Sequence, residues 1–339
     1  MEINMRKILL ASTALVAVAG ISAASAEISL SGGSDVSYTS VSDDITDNAT
    51  AGENGTSMAS DTDLKAAWST TTDSGLVIAV NYDIDGDSGD ASITGDWGTF
   101  TYDDGNEAMG VGGGDADSVS NMGITGSTSP TYTGGESIGG GMVAYSNTIG
   151  GITFGIGMGD GGIGDGSTGD NGEANETSYG VSYSASVNGA DVSVSYAAAN
   201  TGAANTAAAS TDLSASSMAV GVTVGKVSLA AAQNAQKTDR VDDNASATGA
   251  TDMKSTNMGI TYAVTDSLTL EAASVAASGT TAGSADYKYD ESAYGIAYTI
   301  ATGLTLTASY SDWTESGTGA STGADVSGTG TTVKLAVSF

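Results

Sequence analysis

Val333-Lys334-Leu335-Ala336-Val337-Ser338-Phe339 ends the chain with an apolar residue at every second position. Successive side chains leave a β-strand on opposite faces, so a period of two is strand geometry. Val333, Leu335, Val337 and Phe339 therefore share one face, and Lys334 and Ser338 lie on the other. The same alternation runs through Leu304-Thr305-Leu306-Thr307-Ala308-Ser309-Tyr310, Val77-Ile78-Ala79-Val80-Asn81-Tyr82 and Ile28-Ser29-Leu30-Ser31. No segment after Glu27 shows helical spacing. Alternation over stretches of about ten residues suits a strand with lipid on one side and a watery lumen on the other.

Composition narrows the field. The 339 residues include 9 Lys+Arg against 40 Asp+Glu, for a formal charge of −31, with no Cys and no His. Zinc sites built on Cys or His, disulfides, Cys nucleophiles and Ser-His-Asp triads are excluded. Such a charge repels phosphate backbones, so no nucleic-acid partner is expected. Paired carboxylates such as Asp103 and Asp104 do not form a hydrolytic dyad, because adjacent strand residues face opposite ways. The reading is therefore of a non-enzyme. The chain holds 49 Gly and one Pro, which fits neither collagen nor a Pro-rich linker.

The amino terminus predicts export. Met5-Arg6-Lys7 precedes an apolar run of about 14 residues ending near Ile21, followed by Ala24-Ser25-Ala26. A basic segment, a short apolar segment and an A-x-A site make residues 1–26 a cleavable Sec-type signal peptide, with translation starting at Met1 or Met5. Loss of Glu2, Arg6 and Lys7 leaves 7 basic and 39 acidic residues in a single domain, 27–339. No second long apolar run follows. A mature chain that stays in a membrane must then close as a β-barrel, since only helices and closed barrels satisfy their backbones in lipid.

Turn residues count the strands. Asp73-Ser74-Gly75, Asp96-Trp97-Gly98, Ile149-Gly150-Gly151, Asn188-Gly189, Gly225-Lys226, Thr265-Asp266-Ser267 and Ala301-Thr302-Gly303 are seven tight hairpin turns. Between the hairpins lie eight Asp/Gly/Ser/Thr-rich segments: 42–60, 85–90, 103–141, 159–176, 200–212, 237–251, 278–286 and 314–328. Seven turns and eight loops join sixteen antiparallel strands, with short periplasmic turns and long extracellular loops. Boundary errors leave fourteen or eighteen open. Parity places eleven Tyr (38, 82, 102, 145, 179, 183, 196, 262, 294, 298 and 310) on the apolar face, where an interfacial girdle belongs. The fold class is all-β, a transmembrane barrel.

The same parity names wall candidates. Lys65, Asp83, Glu271 and Lys334 fall on the lumen side of their strands, either as functional wall charges or as simple wall polarity. The acidic loops at 85–90 and 159–176 could bind Ca2+ through carboxylates, but the EF-hand spacing fails, with Ser88 at the Gly position and Thr94 where Glu is needed. Solvated loops are the plainer reading, and no cofactor is required.

Several strings resemble alphaproteobacterial general porins. Glu27-Ile28-Ser29-Leu30-Ser31-Gly32 looks like their mature start, and Gly95-Asp96-Trp97-Gly98-Thr99-Phe100-Thr101-Tyr102-Asp103-Asp104 like the strand leading to their inward-folded loop. Tyr145 through Gly155 is similar to their next hairpin, and the terminal Phe339 to their outer-membrane assembly signal. The resemblance implies a trimeric, water-filled diffusion pore in the cell outer membrane, inserted by the barrel-assembly machinery among outer-membrane lipid and lipopolysaccharide. It also implies that loop 103–141 folds into the lumen. Asp103, Asp104, Glu107, Asp115, Asp117 and Glu136 then become candidate constriction residues, and the charge balance predicts cation preference. One departure stands out. The family usually sets an arginine cluster on the facing wall, whereas Arg240 is the only Arg of the mature chain and is expected in a loop. A secreted acidic, Ca2+-binding surface or matrix protein is the competing reading, and it has no use for a terminal strand ending in Phe339.

Overall fold

In a computed structural model, the structure describes residues 27–43, 55–84, 88–103, 142–159, 176–201, 210–241, 251–281, 287–316 and 326–339. The first eight strands are β1 (Glu27–Asp43), β2 (Gly55–Thr71), β3 (Val77–Asp83), β4 (Ser88–Gly95), β5 (Gly98–Asp103), β6 (Met142–Ile149), β7 (Ile152–Gly159) and β8 (Glu176–Val187). The second eight are β9 (Ala190–Thr201), β10 (Ser210–Val224), β11 (Val227–Val241), β12 (Thr251–Ala263), β13 (Leu268–Thr281), β14 (Tyr287–Ala301), β15 (Leu304–Ser316) and β16 (Val326–Ser338). Each pairs antiparallel with its neighbours, and β1 pairs with β16 to close the cylinder. Sixteen strands and all seven tight turns fall where the sequence reading puts them. The expected signal peptide, 1–26, lies outside the described residues.

Closure leaves no sheet edge, which is the condition for a sheet to sit in hydrocarbon. The outward face carries the large apolar residues: Leu306, Leu335 and Val36 lie in register across β15, β16 and β1, as do Leu229, Ile260, Ala272 and Tyr294 across β11–β14. Ten of the eleven predicted lipid-facing Tyr are exposed. The remaining one, Tyr145, is half-buried because its ring stacks on Trp97 at 6.2 Å and its hydroxyl donates to the Trp97 carbonyl. Asn147 Nδ2 donates to the same carbonyl at 2.8 Å, tying the β4–β5 turn to the neighbouring strand. The Asn188-Gly189 turn has φ of 53° and 83°, the paired left-handed geometry whose twist matches the flanking strands.

Strands run further toward the loop end than composition suggests. Residues expected in loops at 42–60, 200–212, 237–251, 278–286 and 314–328 partly belong to β1, β2, β9–β13, β15 and β16. Arg240 is corrected in the same way: it lies in β11, its Cα opposite Thr211. Above the apolar band both faces meet water, so a paired strand there needs no alternation and reads as loop.

Parity makes a testable pair. Ile296 faces outward and is 44% exposed, whereas its neighbour Ala297 faces the lumen. Ile296→Arg is expected to destabilise the barrel by about 2–4 kcal/mol in denaturant titrations in lipid vesicles, and Ala297→Arg by much less. Equal losses would contradict the assignment of faces.

Candidate functional site: the barrel lumen

Side chains facing inward divide the lumen into two unlike halves. On β1–β5 and β16 the wall is charged. Asp35 (β1) lies opposite Asp61 (β2) and Ala336 (β16), Asp63 opposite Gly33, and Lys65 opposite both Ser31 and Asp83. Asp90 (β4) lies opposite Asn81 and Asp103. Carboxylates directly across a strand pair repel one another, and the structure offsets this locally. Lys334 Nζ sits 2.8 Å from Asp35 Oδ2, across the seam where the barrel closes. Lys65 Nζ sits 3.9 Å from Asp83 Oδ2, a looser and more exposed contact. Asn81 Nδ2 donates to Asp90 Oδ1 at 2.8 Å.

Lys65, Asp83, Glu271 and Lys334 all face the lumen as parity requires. The two lysines do not form a free positive wall, since each stands against an aspartate. Asp103 is the last residue of β5 rather than part of a loop. Asp104, Glu107, Asp115, Asp117 and Glu136 lie outside the described residues. Of the two acidic loops considered for Ca2+, Asp90 belongs to β4, and Asp85, Asp87, Asp160, Asp165 and Asp170 lie outside the described residues. Among the described residues, no group of three or more carboxylates could hold a metal.

On β7–β13 the lumen side is small and mostly neutral: Gly155, Gly157, Ser178, Gly180, Ala197, Ala199, Ala215, Ser217, Ala232 and Ala277. Many are buried, with Ala197 and Ala199 at 0% exposure. Asn234 Nδ2 donates to Ser255 Oγ at 3.1 Å within this belt. On β14 and β15, Tyr289 donates to Glu291 Oε2 at 3.0 Å and stacks on Trp313 at 6.4 Å. Sequence reading did not single out Asp35, Asp61 or Asp63, and it placed Asp90 in an acidic loop rather than on the lumen wall. Parity anchored on Val36 and Leu64 turns Asp35 and Asp63 inward, but only the register sets Asp35 opposite Asp61 and Asp90 opposite Asp103.

A closed sixteen-stranded barrel, apolar outside and charged within, defines a transmembrane channel of the outer-membrane type. Residues 11–318 match the family model for Gram-negative porins, and the chain belongs to that family, whose members reside in the outer membrane. Solved structures share the fold at low identity. They include a loop-deletion mutant of OmpT, an outer membrane protein of Vibrio cholerae (15% identity, TM-score 0.62, 93% of this chain and 99% of that one). The anion-selective porin from Comamonas acidovorans is similar at 14% identity and TM-score 0.62, over 93% and 100% of the two chains. The outer membrane channel DcaP of Acinetobacter baumannii matches at 13% identity and TM-score 0.60, over 93% and 97%. Among curated protein sequences, none matches this chain.

Proposed function

We propose that the protein is a water-filled, passive diffusion channel for small hydrophilic solutes and ions, that it prefers cations, and that it catalyses no reaction. The observation that carries this reading is the pairing of both wall lysines: Lys334 with Asp35 and Lys65 with Asp83. Pairing leaves Asp61, Asp63 and Asp90 as the unbalanced charge of that wall. Carboxylates in a lumen walled by low-dielectric protein raise the local cation concentration. The related anion-selective porin shares the fold alone, so selectivity must follow from the charges each lumen carries.

Loop 103–141 is assigned to the lumen, and two features support this. A sixteen-stranded barrel is too wide for opposite walls to touch, yet Ala197, Ala199 and Ser217 on the inner wall are fully buried, with Ala144 of β6 packed against that belt. A long interior segment accounts for that burial, with its acids facing the charged half. In the same reading the mature chain assembles as a homotrimer, with short turns in the periplasm and long loops outside. Its leader is removed after Ala26. Amino-terminal sequencing of the outer-membrane form is expected to begin Glu27-Ile28-Ser29, and an intact Met1 or Met5 start would refute it.

The channel itself is tested in a planar bilayer. Purified protein should raise the conductance in discrete steps that scale with KCl concentration. Stable insertion of heat-modifiable barrels that leave the bilayer insulating would contradict it.

A further inference from the structure

At the turn end of β8–β11 the lumen wall carries hydroxyls in two rows. The register sets Ser186, Asp191, Thr223 and Ser228 side by side, one to a strand, and Ser184, Ser193, Gly221 and Ala230 in the row above. The residues between the rows, Ala185, Val192, Val222 and Leu229, face lipid, so both hydroxyl rows face inward. Neighbouring strands lie about 4.8 Å apart and alternate residues about 6.8 Å apart, so the patch spans about 14 Å by 7 Å.

These residues line a concavity of about 420 Å³. Gly221 keeps its floor open: a Cβ there would meet Ser193 Oγ at 2.6 Å, so the missing side chain is part of the space. Asp191 is the one charged residue of the lining. Ser186 Oγ donates to Asp191 Oδ1, and the Thr223 and Ser228 hydroxyls bond each other at 2.9 Å. That leaves Asp191 Oδ2 and the exposed hydroxyls of Ser184 and Ser193 without hydrogen-bond partners among the described residues. One carboxylate acceptor and two hydroxyls that both give and accept thus surround an open glycine floor.

We propose that this pocket binds a neutral, polyhydroxylated solute, a sugar ring, during its passage through the lumen. A volume near the lower end of the range for ligand pockets holds about one or two pyranose rings. The carboxylate accepts from a diol, in hydrogen bonds of the stronger, charge-assisted kind. Serine hydroxyls exchange donor and acceptor roles freely, which suits a ligand edged by hydroxyls. The lining has no aromatic ring to hold an organic cation over its face, and Asp191 is already hydrogen-bonded by Ser186, so a neutral polyol fits it better than an ammonium does. The site rests on the channel reading, which puts the turn end in the periplasm and makes this a binding step near the exit.

The test uses the full mature chain, refolded in an amine-oxide detergent that carries no sugar and titrated with methyl glucoside by saturation-transfer NMR. Gly221→Leu fills the floor and should weaken binding about tenfold or more, and S184A/S193A, which keeps the space, should weaken it about fivefold. The serine variant carries the test where Gly221→Leu gives too little folded barrel. Ser29→Ala, which removes a lumen hydroxyl of β1 at the same end, should bind as wild type does. Equal affinity of wild type and S184A/S193A would overturn the site. Tetramethylammonium bound more tightly than methyl glucoside, and released by Asp191→Asn, would overturn the polyol assignment. Planar-bilayer recording separates this from the channel reading: a wild type that conducts in discrete steps yet binds no methyl glucoside fails the site alone, whereas a silent wild type fails the channel itself.

Discussion

Deleting Phe339 is expected to lower the yield of folded, heat-modifiable barrel severalfold at normal expression. The last residue closes the cylinder: Phe339 N donates to the Gly32 carbonyl at 3.0 Å, and Gly32 N donates to the Phe339 carbonyl at 3.0 Å. Two such bonds are worth about 1–3 kcal/mol net, and each 1–2 kcal/mol shifts a folding equilibrium by a factor of about 5–30. The deletion also removes an outward ring lying over Gly32 and ends the strand whose alternation the assembly machinery is proposed to read. A second variant separates closure from recognition. A Cβ at Gly32 would meet the Asp63 carbonyl oxygen at 2.6 Å and Phe339 Cζ at 2.9 Å. Gly32→Leu should therefore lower the barrel's stability to denaturant while the terminal Phe339 stays intact. Unchanged yield on deleting Phe339 would contradict the proposed role of the terminal strand.

The fold was legible because a barrel writes its environment into parity. Leu304 to Tyr310 and Val333 to Phe339 each declare which side meets lipid, and Asn188-Gly189 marks a turn by backbone need alone. Legibility fails where the environment stops differing between faces. Ser210–Ser214 and Lys237–Val241 pair in the sheet above the membrane band, where both faces of the strand are polar in sequence, so Arg240 reads as a loop residue. The lumen site was legible residue by residue and illegible as a set. Parity turns Lys334 and Lys65 inward, but only the register across the β1–β16 seam brings Lys334 to Asp35. What sequence shows as two positive wall charges is, in three dimensions, two compensated pairs.

That difference governs the second large effect. With both lysines compensated, the facing wall gives the anion no favoured track, and the proposed inward course of loop 103–141 would add its acids to a wall that is already negative. Neutralising Asp103, Asp104, Glu107, Asp115, Asp117 and Glu136 together should lower the cation-to-anion permeability ratio markedly. Neutralising Asp43, Asp44, Asp47 and Glu53 should do so less, because charges outside a constriction act through screened bulk water. Each kT of lumen potential removed lowers the local cation concentration about 2.7-fold, and summed protein fields reach several kT. The contrast should be largest near 0.1 M salt and fade toward 1 M, as the Debye length falls from about 10 Å to about 3 Å. Equal shifts in the two variants would place the 103–141 acids away from the narrowest point. Lys334→Ala should move the ratio the other way, since it frees Asp35 beside Asp61.

The reversal potential of the wild-type channel in a KCl gradient tests the central claim most directly. A cation-preferring channel sets the zero-current potential toward the K+ equilibrium value, by an amount that shrinks as both salt concentrations rise. A potential displaced toward the Cl− value would contradict the account, since it would require an uncompensated positive charge at the narrowest point of the lumen.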